Sequence, residues 1–170
     1  MEVAMGTTAF KGNQVKLKGE LPKIGSQAPE FVLIKNDLSE VSLKEFDGKK
    51  IILNIFPSID TPVCATSVRK FNEIFDNRTD AVVLCVSMDL PFAQSRFCGA
   101  EGLNNVITAS DFRTRKFGEA YGVLMGDGPL AGLFARAVIV IGQDKKVIYA
   151  QLVDDITKEP DYDGALKAVS

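Results

Sequence analysis

The feature that most constrains the fold is a buried strand that runs directly into a helix started by proline. The apolar stretch 51–56 has the length and the β-branched content of a buried strand. Turn residues 57–61 follow it, and Pro62 then takes the first helical position, where a missing N–H group costs nothing. Thr61, just before it, can cap the helix with its hydroxyl. Strand, turn and helix in this order predict an α/β fold.

Cys64 falls in the first turn of this helix. Free backbone N–H groups and the positive end of the helix dipole meet there, and both favour a thiolate over a thiol. The apolar residues that follow recur at three- and four-residue steps: Val68, Phe71, Ile74 and Phe75. This spacing predicts a helix to about Asn77, with Cys64 on its inward face and next to a shallow pocket.

The chain of 170 residues contains no histidine. Cys-His pairs, Ser-His-Asp triads, haem ligation by histidine and the common zinc sites all need that side chain, so these sites are excluded. We therefore expect no metal and no cofactor. A nucleophile in this chain must be activated by backbone dipoles, hydroxyl groups and arginines.

The net charge and the N-terminal sequence limit which partners and which cellular compartment we expect. The net charge is −2, and no basic cluster suggests nucleic acid as a partner. Residues 1–8 lack the features of a signal peptide, and the longest apolar run, 81–86, is too short to cross a membrane. We expect a single domain over residues 1–170 in the cytoplasm, where cysteines are more often catalytic or buried than paired in structural disulfides.

Hydrophobic patterning predicts the remaining elements. They are a hairpin across 11–13, a strand at 31–34, a buried strand at 81–86, a short helix at 92–97 with Cys98 at its end, a strand at 105–108, a helix between 112 and 121, strands at 137–141 and 146–152, and a helix at 162–169. This order predicts an α/β, thioredoxin-like fold: a central mixed sheet flanked by helices, with an N-terminal β-hairpin extension. Such folds place their redox cysteine at the strand-to-helix turn.

The other two cysteines differ in their surroundings. Cys85 lies inside the apolar run 81–86, where a free cysteine behaves as a small hydrophobe, so we predict a core position for it. Cys98 is either half-buried filler or a second redox thiol, and its position leaves both open. A buried strand separates Cys64 from Cys98, so we expect their α-carbons to lie beyond the roughly 7 Å that a disulfide bridges.

Several separated segments resemble the peroxiredoxins. Pro57, Thr61 and Cys64 match the Pro-x-x-x-Thr-x-x-Cys signature of that family. The contexts at 67–71, 96–98 and 110–113 resemble its thiol peroxidase branch, an atypical two-cysteine type. The resemblance covers nearly the whole chain.

The resemblance implies a role for five residues. Cys64 is the peroxidatic cysteine and Cys98 the resolving cysteine. Thr61 contacts the peroxide, Arg136 supplies a guanidinium, and Pro57 shapes the pocket over the sulfur. From its position alone, Arg136 is a strand-entry arginine with no stronger claim than other arginines in the chain.

The resemblance also implies the reaction. A thiol-dependent peroxidase of this kind reduces hydrogen peroxide and alkyl or lipid hydroperoxides through a Cys64 sulfenic acid. An intramolecular Cys64–Cys98 disulfide follows, which thioredoxin reduces. Similar proteins are homodimers that serve antioxidant defence.

The residues around Cys64 also bear on three other functions. A cysteine phosphatase loop needs arginine six positions after the cysteine, but Lys70 stands there and Arg69 is one position early. A disulfide reductase needs Cys-x-x-Cys, and Ser67 occupies the partner position. A redox sensor that uses Cys64 and Cys98 without turnover stays open as an additional function.

Overall fold

Residues 6–170, which the computed structural model describes, form nine strands and four α-helices. The strands are β1 (Thr7–Phe10), β2 (Asn13–Lys16), β3 (Val32–Lys35), β4 (Glu40–Ser42), β5 (Lys50–Ile55), β6 (Ala81–Ser87), β7 (Ile107–Ser110), β8 (Ala137–Ile141) and β9 (Val147–Leu152). The helices are α1 (Pro62–Ile74), α2 (Pro91–Glu101), α3 (Lys116–Tyr121) and α4 (Tyr162–Val169). Part of the signal-peptide prediction concerns residues 1–5, which lie outside the described residues.

Seven of these strands form one mixed sheet in the order β4-β3-β7-β6-β5-β8-β9. The pairs β5–β6 and β6–β7 are parallel, and the remaining pairs are antiparallel. The strands β1 and β2 form the separate N-terminal hairpin. The predicted thioredoxin-like architecture, with its hairpin extension, is therefore confirmed.

The interior strand β5 is covered on both faces. Side chains alternate across it, so Leu53 and Ile55 join the core on one face while Ile52 joins the core that contains Cys64 and α1 on the other. A strand buried on both sides explains the continuous apolar run in the sequence. Its carboxyl end delivers the chain to the turn before α1, at the edge where α/β sheets commonly bind ligands.

Two helix boundaries differ from the predictions because backbone conformation overrides hydrophobic spacing. Helix α1 ends at Ile74 and not near Asn77, which has a φ of +62° that no helical residue adopts. Helix α2 extends to Glu101, so the prediction that Cys98 ends its helix was wrong. Gly102, with a φ of +66°, terminates α2, and the N–H of Leu103 donates to the carbonyl of Cys98.

Two further elements begin later than predicted. Strand β7 starts at Ile107, because Asn105 is engaged by α1: its N–H donates to Asn72 Oδ1 at 2.8 Å. Helix α3 starts only at Lys116, where the Asp111 carboxylate accepts the N–H groups of the first turn. No helix within residues 6–170 is long and apolar enough to cross a membrane.

Candidate active site

Cys64 is completely buried in the first turn of α1. Its free Sγ accepts a hydrogen bond from Arg136 Nη2 at 3.3 Å. The arginine immediately precedes β8, which pairs with β5, so the sheet brings together two residues that are 72 positions apart. A guanidinium beside a sulfur at a helix N-terminus stabilises the thiolate form.

Arg136 is itself only 1% exposed. Its Nε and Nη2 donate to the carbonyl of Ile156 at 3.0 and 2.8 Å. Its Nη1 is buried and has no hydrogen-bond partner in the described part of the chain. A buried donor without an acceptor is costly, so this atom marks a place where a polar ligand is favoured.

A cavity of about 300 Å³ opens beside these residues. Its walls are Phe10, Lys11, Pro57, Thr61, Pro62, Val63, Leu130, Arg136, Ile156 and Thr157. A larger groove of about 360 Å³ lies elsewhere, between Phe31, Lys44 and Lys116. Arg136, which donates to the Cys64 thiol, lines the smaller cavity, so we place the candidate site there.

Thr61 lies at the N-cap position of α1, but its hydroxyl does not cap the helix. The hydroxyl donates to the carbonyl of Ser58 at 3.0 Å, and the Thr61 N–H donates to the same carbonyl at 3.1 Å. The predicted side-chain cap was therefore wrong, because the tight 58–61 turn satisfies the hydroxyl first. Among residues 6–170 no side chain caps α1, so its first N–H groups remain open to a ligand.

Asp89 holds the turn before α1, and the sequence analysis did not single it out. Its carboxylate accepts hydrogen bonds from Ser58 Oγ at 2.7 Å, the Ile59 N–H at 2.7 Å and Ser87 Oγ at 2.6 Å. Asp89 follows β6, the strand beside β5, and polar residues at the carboxyl ends of neighbouring parallel strands are a recognisable signal. This carboxylate fixes the backbone that carries Pro57 and Thr61.

Cys85 and Cys98 lie away from the cavity. Cys85 is completely buried in β6, as predicted, and desolvation raises its pKa to about 12. Cys98 is half-buried in α2, and burial raises its pKa. The thiols of Cys64 and Cys98 are both free, and that of Cys64 contacts Arg136.

The structure thus brings together four of the five predicted site residues: Pro57, Thr61, Cys64 and Arg136. Neither Cys64 nor Cys98 lines the cavity, but Cys64 contacts Arg136, which does. Within residues 6–170 no three histidine, cysteine, aspartate or glutamate side chains are grouped as metal ligands.

Comparison with known proteins places this chain in a family. The Redoxin family matches residues 23–166. The thiol peroxidase of Corynebacterium glutamicum is 54% identical over 98% of this chain and all of its own length. That of Mycobacterium tuberculosis is 56% identical over 97% of this chain and 99% of its own length.

Solved structures agree with the sequence matches. A peroxiredoxin-like protein from Aquifex aeolicus is 47% identical and superposes with a TM-score of 0.92, covering 97% of this chain and 96% of its own. A thiol peroxidase from Chromobacterium violaceum, 22% identical, has the same fold with a TM-score of 0.87 and covers 95% of this chain and 93% of its own. A matching fold, a buried thiol paired with an arginine and high identity to thiol peroxidases over nearly the full length lead to one conclusion. This chain belongs to the Redoxin family, in the thiol peroxidase branch of the peroxiredoxins, and is an enzyme that reduces peroxides by thiol chemistry.

Proposed function

We propose that Cys64 is the peroxidatic thiol and that peroxide binds in the cavity between Thr61 and Arg136. The observation that carries this proposal is the Arg136 guanidinium, which donates to Cys64 Sγ while its buried Nη1 has no partner among residues 6–170. One guanidinium can thus stabilise the thiolate and also bind a peroxide oxygen. Donors fixed in place before the reaction are the strongest source of transition-state stabilisation.

The chemistry breaks one bond and forms another. The Cys64 thiolate attacks the terminal peroxide oxygen, the S–O bond forms, and the O–O bond breaks. The sulfur is oxidised to a sulfenic acid, and the leaving oxygen takes a proton and departs as water or an alcohol. Arg136 Nη1 and the open N–H groups of the first turn of α1 stabilise the negative charge on the oxygens.

Thr61 orients the substrate by accepting a hydrogen bond from it. Its hydroxyl hydrogen points to the Ser58 carbonyl, which leaves the Oγ1 lone pairs for the O–H of the peroxide. Arg136 donates and Thr61 accepts, so a peroxide with one O–H group is aligned for attack. This alignment keeps the reacting atoms close together, which is worth several kcal/mol.

The cavity walls support organic hydroperoxides as substrates besides hydrogen peroxide. Phe10, Val63, Leu130 and Ile156 form an apolar surface around the entrance to Arg136. An alkyl or lipid chain buries apolar area there, which small hydrogen peroxide cannot do. We therefore include alkyl and lipid hydroperoxides among the proposed substrates and expect them to be favoured.

Recycling uses Cys98 in this proposal. The Cys98 thiolate attacks the sulfenic sulfur, hydroxide leaves and takes a proton to become water, and an intramolecular Cys64–Cys98 disulfide forms. Because both thiols are free and Cys64 is completely buried against Arg136, α1 or α2 must rearrange first. A thioredoxin-type dithiol then reduces the disulfide. We further propose that residues 1–170 form one domain and act as a cytoplasmic homodimer in antioxidant defence.

Serine variants of the three cysteines test these assignments. We expect Cys64→Ser to abolish both peroxide consumption and sulfenic acid formation, because a serine hydroxyl does not ionise near neutral pH. Cys98→Ser should consume one equivalent of peroxide and stop. Cys85→Ser is the matched control and should turn over normally.

The assay follows consumption of hydrogen peroxide and of a bulky organic hydroperoxide with a thioredoxin system, and dimedone trapping with mass spectrometry locates the sulfenic acid. Full turnover by Cys64→Ser contradicts the peroxidatic assignment. Full turnover by Cys98→Ser, with normal Cys64 oxidation, contradicts only the resolving assignment.

A further inference from the structure

The Arg136 guanidinium is held by the backbone of one short loop. Two of its N–H groups converge on the Ile156 carbonyl, and no carboxylate within residues 6–170 forms an ion pair with it. Any movement of Ile156 therefore moves the guanidinium relative to Cys64. The position of the guanidinium beside the sulfur is therefore set by a neutral carbonyl and not by an ion pair with an acid.

The loop that carries Ile156, here the 154–157 loop, is irregular and follows β9. The Asp155 carboxylate closes it. Oδ1 accepts the Thr157 N–H at 2.9 Å and the Thr157 hydroxyl at 2.6 Å, so the acid spans the residues on either side of Ile156. Asp155 is only 8% exposed, which makes these bonds difficult to replace by water.

The same carboxylate binds the turn of the N-terminal hairpin. Oδ2 accepts the Gly12 N–H at 2.9 Å, and Oδ1 accepts the Lys11 N–H at 3.4 Å. Gly12 has a φ of +83°, a conformation that favours glycine and presents its N–H to the acid. A further bond joins the Ile156 N–H to the carbonyl of Ala9 at 2.9 Å. The hairpin and the 154–157 loop thus form one unit that also lines the cavity.

Ionisation of the acid is secured by its own hydrogen bonds. The Thr157 hydroxyl and N–H groups, followed by the Gly12 N–H, lower the pKa of Asp155 to about 2. The carboxylate is therefore ionised at neutral pH. It therefore acts as a permanent acceptor in the structure and not as a proton donor.

We propose that Asp155 is a positioning residue for the peroxidase reaction: its carboxylate holds the Ile156 carbonyl in place and so aims the Arg136 guanidinium at Cys64 and the bound peroxide. This proposal rests on the proposed function, in which Cys64 reacts and Arg136 assists. Asp155 itself does not line the cavity, although it binds Lys11 and Thr157, which do. The N-terminal hairpin thereby becomes part of the support of the active site.

The test is a double-mutant cycle between Asp155→Asn and Arg136→Ala, measured in a Cys98→Ser background. The readouts are the rate of Cys64 sulfenic acid formation by quenched-flow mass spectrometry and the pH midpoint of Cys64 alkylation. Asp155→Asn keeps the size of the side chain but removes one acceptor oxygen. We expect oxidation to slow by about 10- to 100-fold, because small displacements of catalytic groups have effects of this size. The alkylation midpoint should move upward.

The cycle separates positioning from general stability. If Asp155 acts through Arg136, then Asp155→Asn changes the rate of Arg136→Ala less than about twofold. Asp127→Asn is the matched control, because Asp127 Oδ1 accepts the Lys16 N–H at 2.9 Å and so anchors the same hairpin without touching the 154–157 loop. Its oxidation rate and alkylation midpoint should equal those of the parent.

Two results overturn the proposal. One is a folded Asp155→Asn variant with an unchanged oxidation rate. The other is an Asp155→Asn substitution that slows oxidation equally in the parent and in Arg136→Ala. If Asp155→Asn does not fold, Thr157→Val removes one of the hydrogen bonds and should slow oxidation about 2- to 10-fold in the parent alone. An equal effect of Thr157→Val in both backgrounds overturns the proposal as well. Failure of the proposed function is distinct, since then no sulfenic acid forms at Cys64 in the parent.

Discussion

Cys64 and Cys98 lie in surroundings of opposite character. Cys64 is completely buried and held between the start of α1 and a buried arginine. Cys98 is half-buried on a helix that surface ion pairs join to the Cys64 region: Arg69 with Glu101 at 2.8 Å, and Arg96 with Asp60 at 2.6 Å. Exposed ion pairs contribute little stability. The first thiol therefore lies in the closed core, whereas we expect the helix that carries the second thiol to open at a lower cost.

The two helices anchor these thiols differently. Helix α1 buries Cys64, Ala65, Ser67, Val68 and Phe71, whereas α2 buries only Pro91, Gln94 and Phe97. Phe92 of α2 is 67% exposed. With less buried apolar surface, α2 should open more readily than α1. In the proposed mechanism, a fast first step at Cys64 is thus combined with a second step at Cys98 that depends on the opening of α2.

The largest expected effect on the reaction comes from a change in the rigid region around Cys64. Arg136→Lys should lower the rate of Cys64 oxidation by roughly 10²- to 10³-fold, the usual loss for a donor to a developing oxyanion. Lysine retains the charge but cannot bind the Ile156 carbonyl, the sulfur and the peroxide at once. Stopped-flow or quenched-flow kinetics of Cys64 oxidation measure the loss. Near-normal oxidation in this variant means that the charge alone, and not the planar group, is needed.

A smaller effect is expected from loosening the mobile region. Glu101→Gln removes the ion pair with Arg69 and should accelerate Cys64–Cys98 disulfide formation about 1.5- to 5-fold, the range for an exposed pair. Raising the salt concentration should act in the same direction. Cys64 oxidation should not change. Asp80→Asn, which breaks the similar pair of Arg78 and Asp80, is the matched control.

Hydrogen exchange shows which segments open when the Cys64–Cys98 disulfide forms. Disulfide formation should increase exchange in residues 62–67 and 92–102, while β6 stays protected. Unchanged exchange in both segments, with rapid disulfide formation, contradicts the idea that a helix must unwind. An effect of Asp80→Asn as large as that of Glu101→Gln contradicts the specific contribution of α2.

The smallest effect on catalysis is expected at the third thiol. Cys85→Ala removes a sulfur from the closed core and should cost on the order of 1 kcal/mol of unfolding free energy, as other small core deletions do. Turnover should remain that of the parent. Thermal or urea unfolding measures the first effect and the thioredoxin-coupled assay the second. Lost recycling in a folded variant identifies Cys85, and not Cys98, as the resolving thiol.

Local patterns in the sequence were enough to predict the strand-turn-helix unit, the order of the elements and the core position of Cys85. Apolar runs and their periodicity report burial directly, which is why β5, β6 and α4 were predicted closely. The boundaries of α1 and α2 were missed where residues adopt left-handed conformations, as Asn77 and Gly102 do. Hydrophobic spacing contains no information about such a change of backbone direction.

By itself, the sequence determined that a cysteine stands at a helix start after a buried strand, and that histidine chemistry is absent. Only the tertiary structure decided how that cysteine is supported. Arg136 approaches Cys64 across 72 residues, and its anchor at Ile156 depends on an acid that binds a turn more than 140 residues away. The Thr61 hydroxyl likewise turned to Ser58 instead of capping α1. Contacts of this kind depend on which strands become neighbours in the sheet, and local spacing along the chain does not encode them.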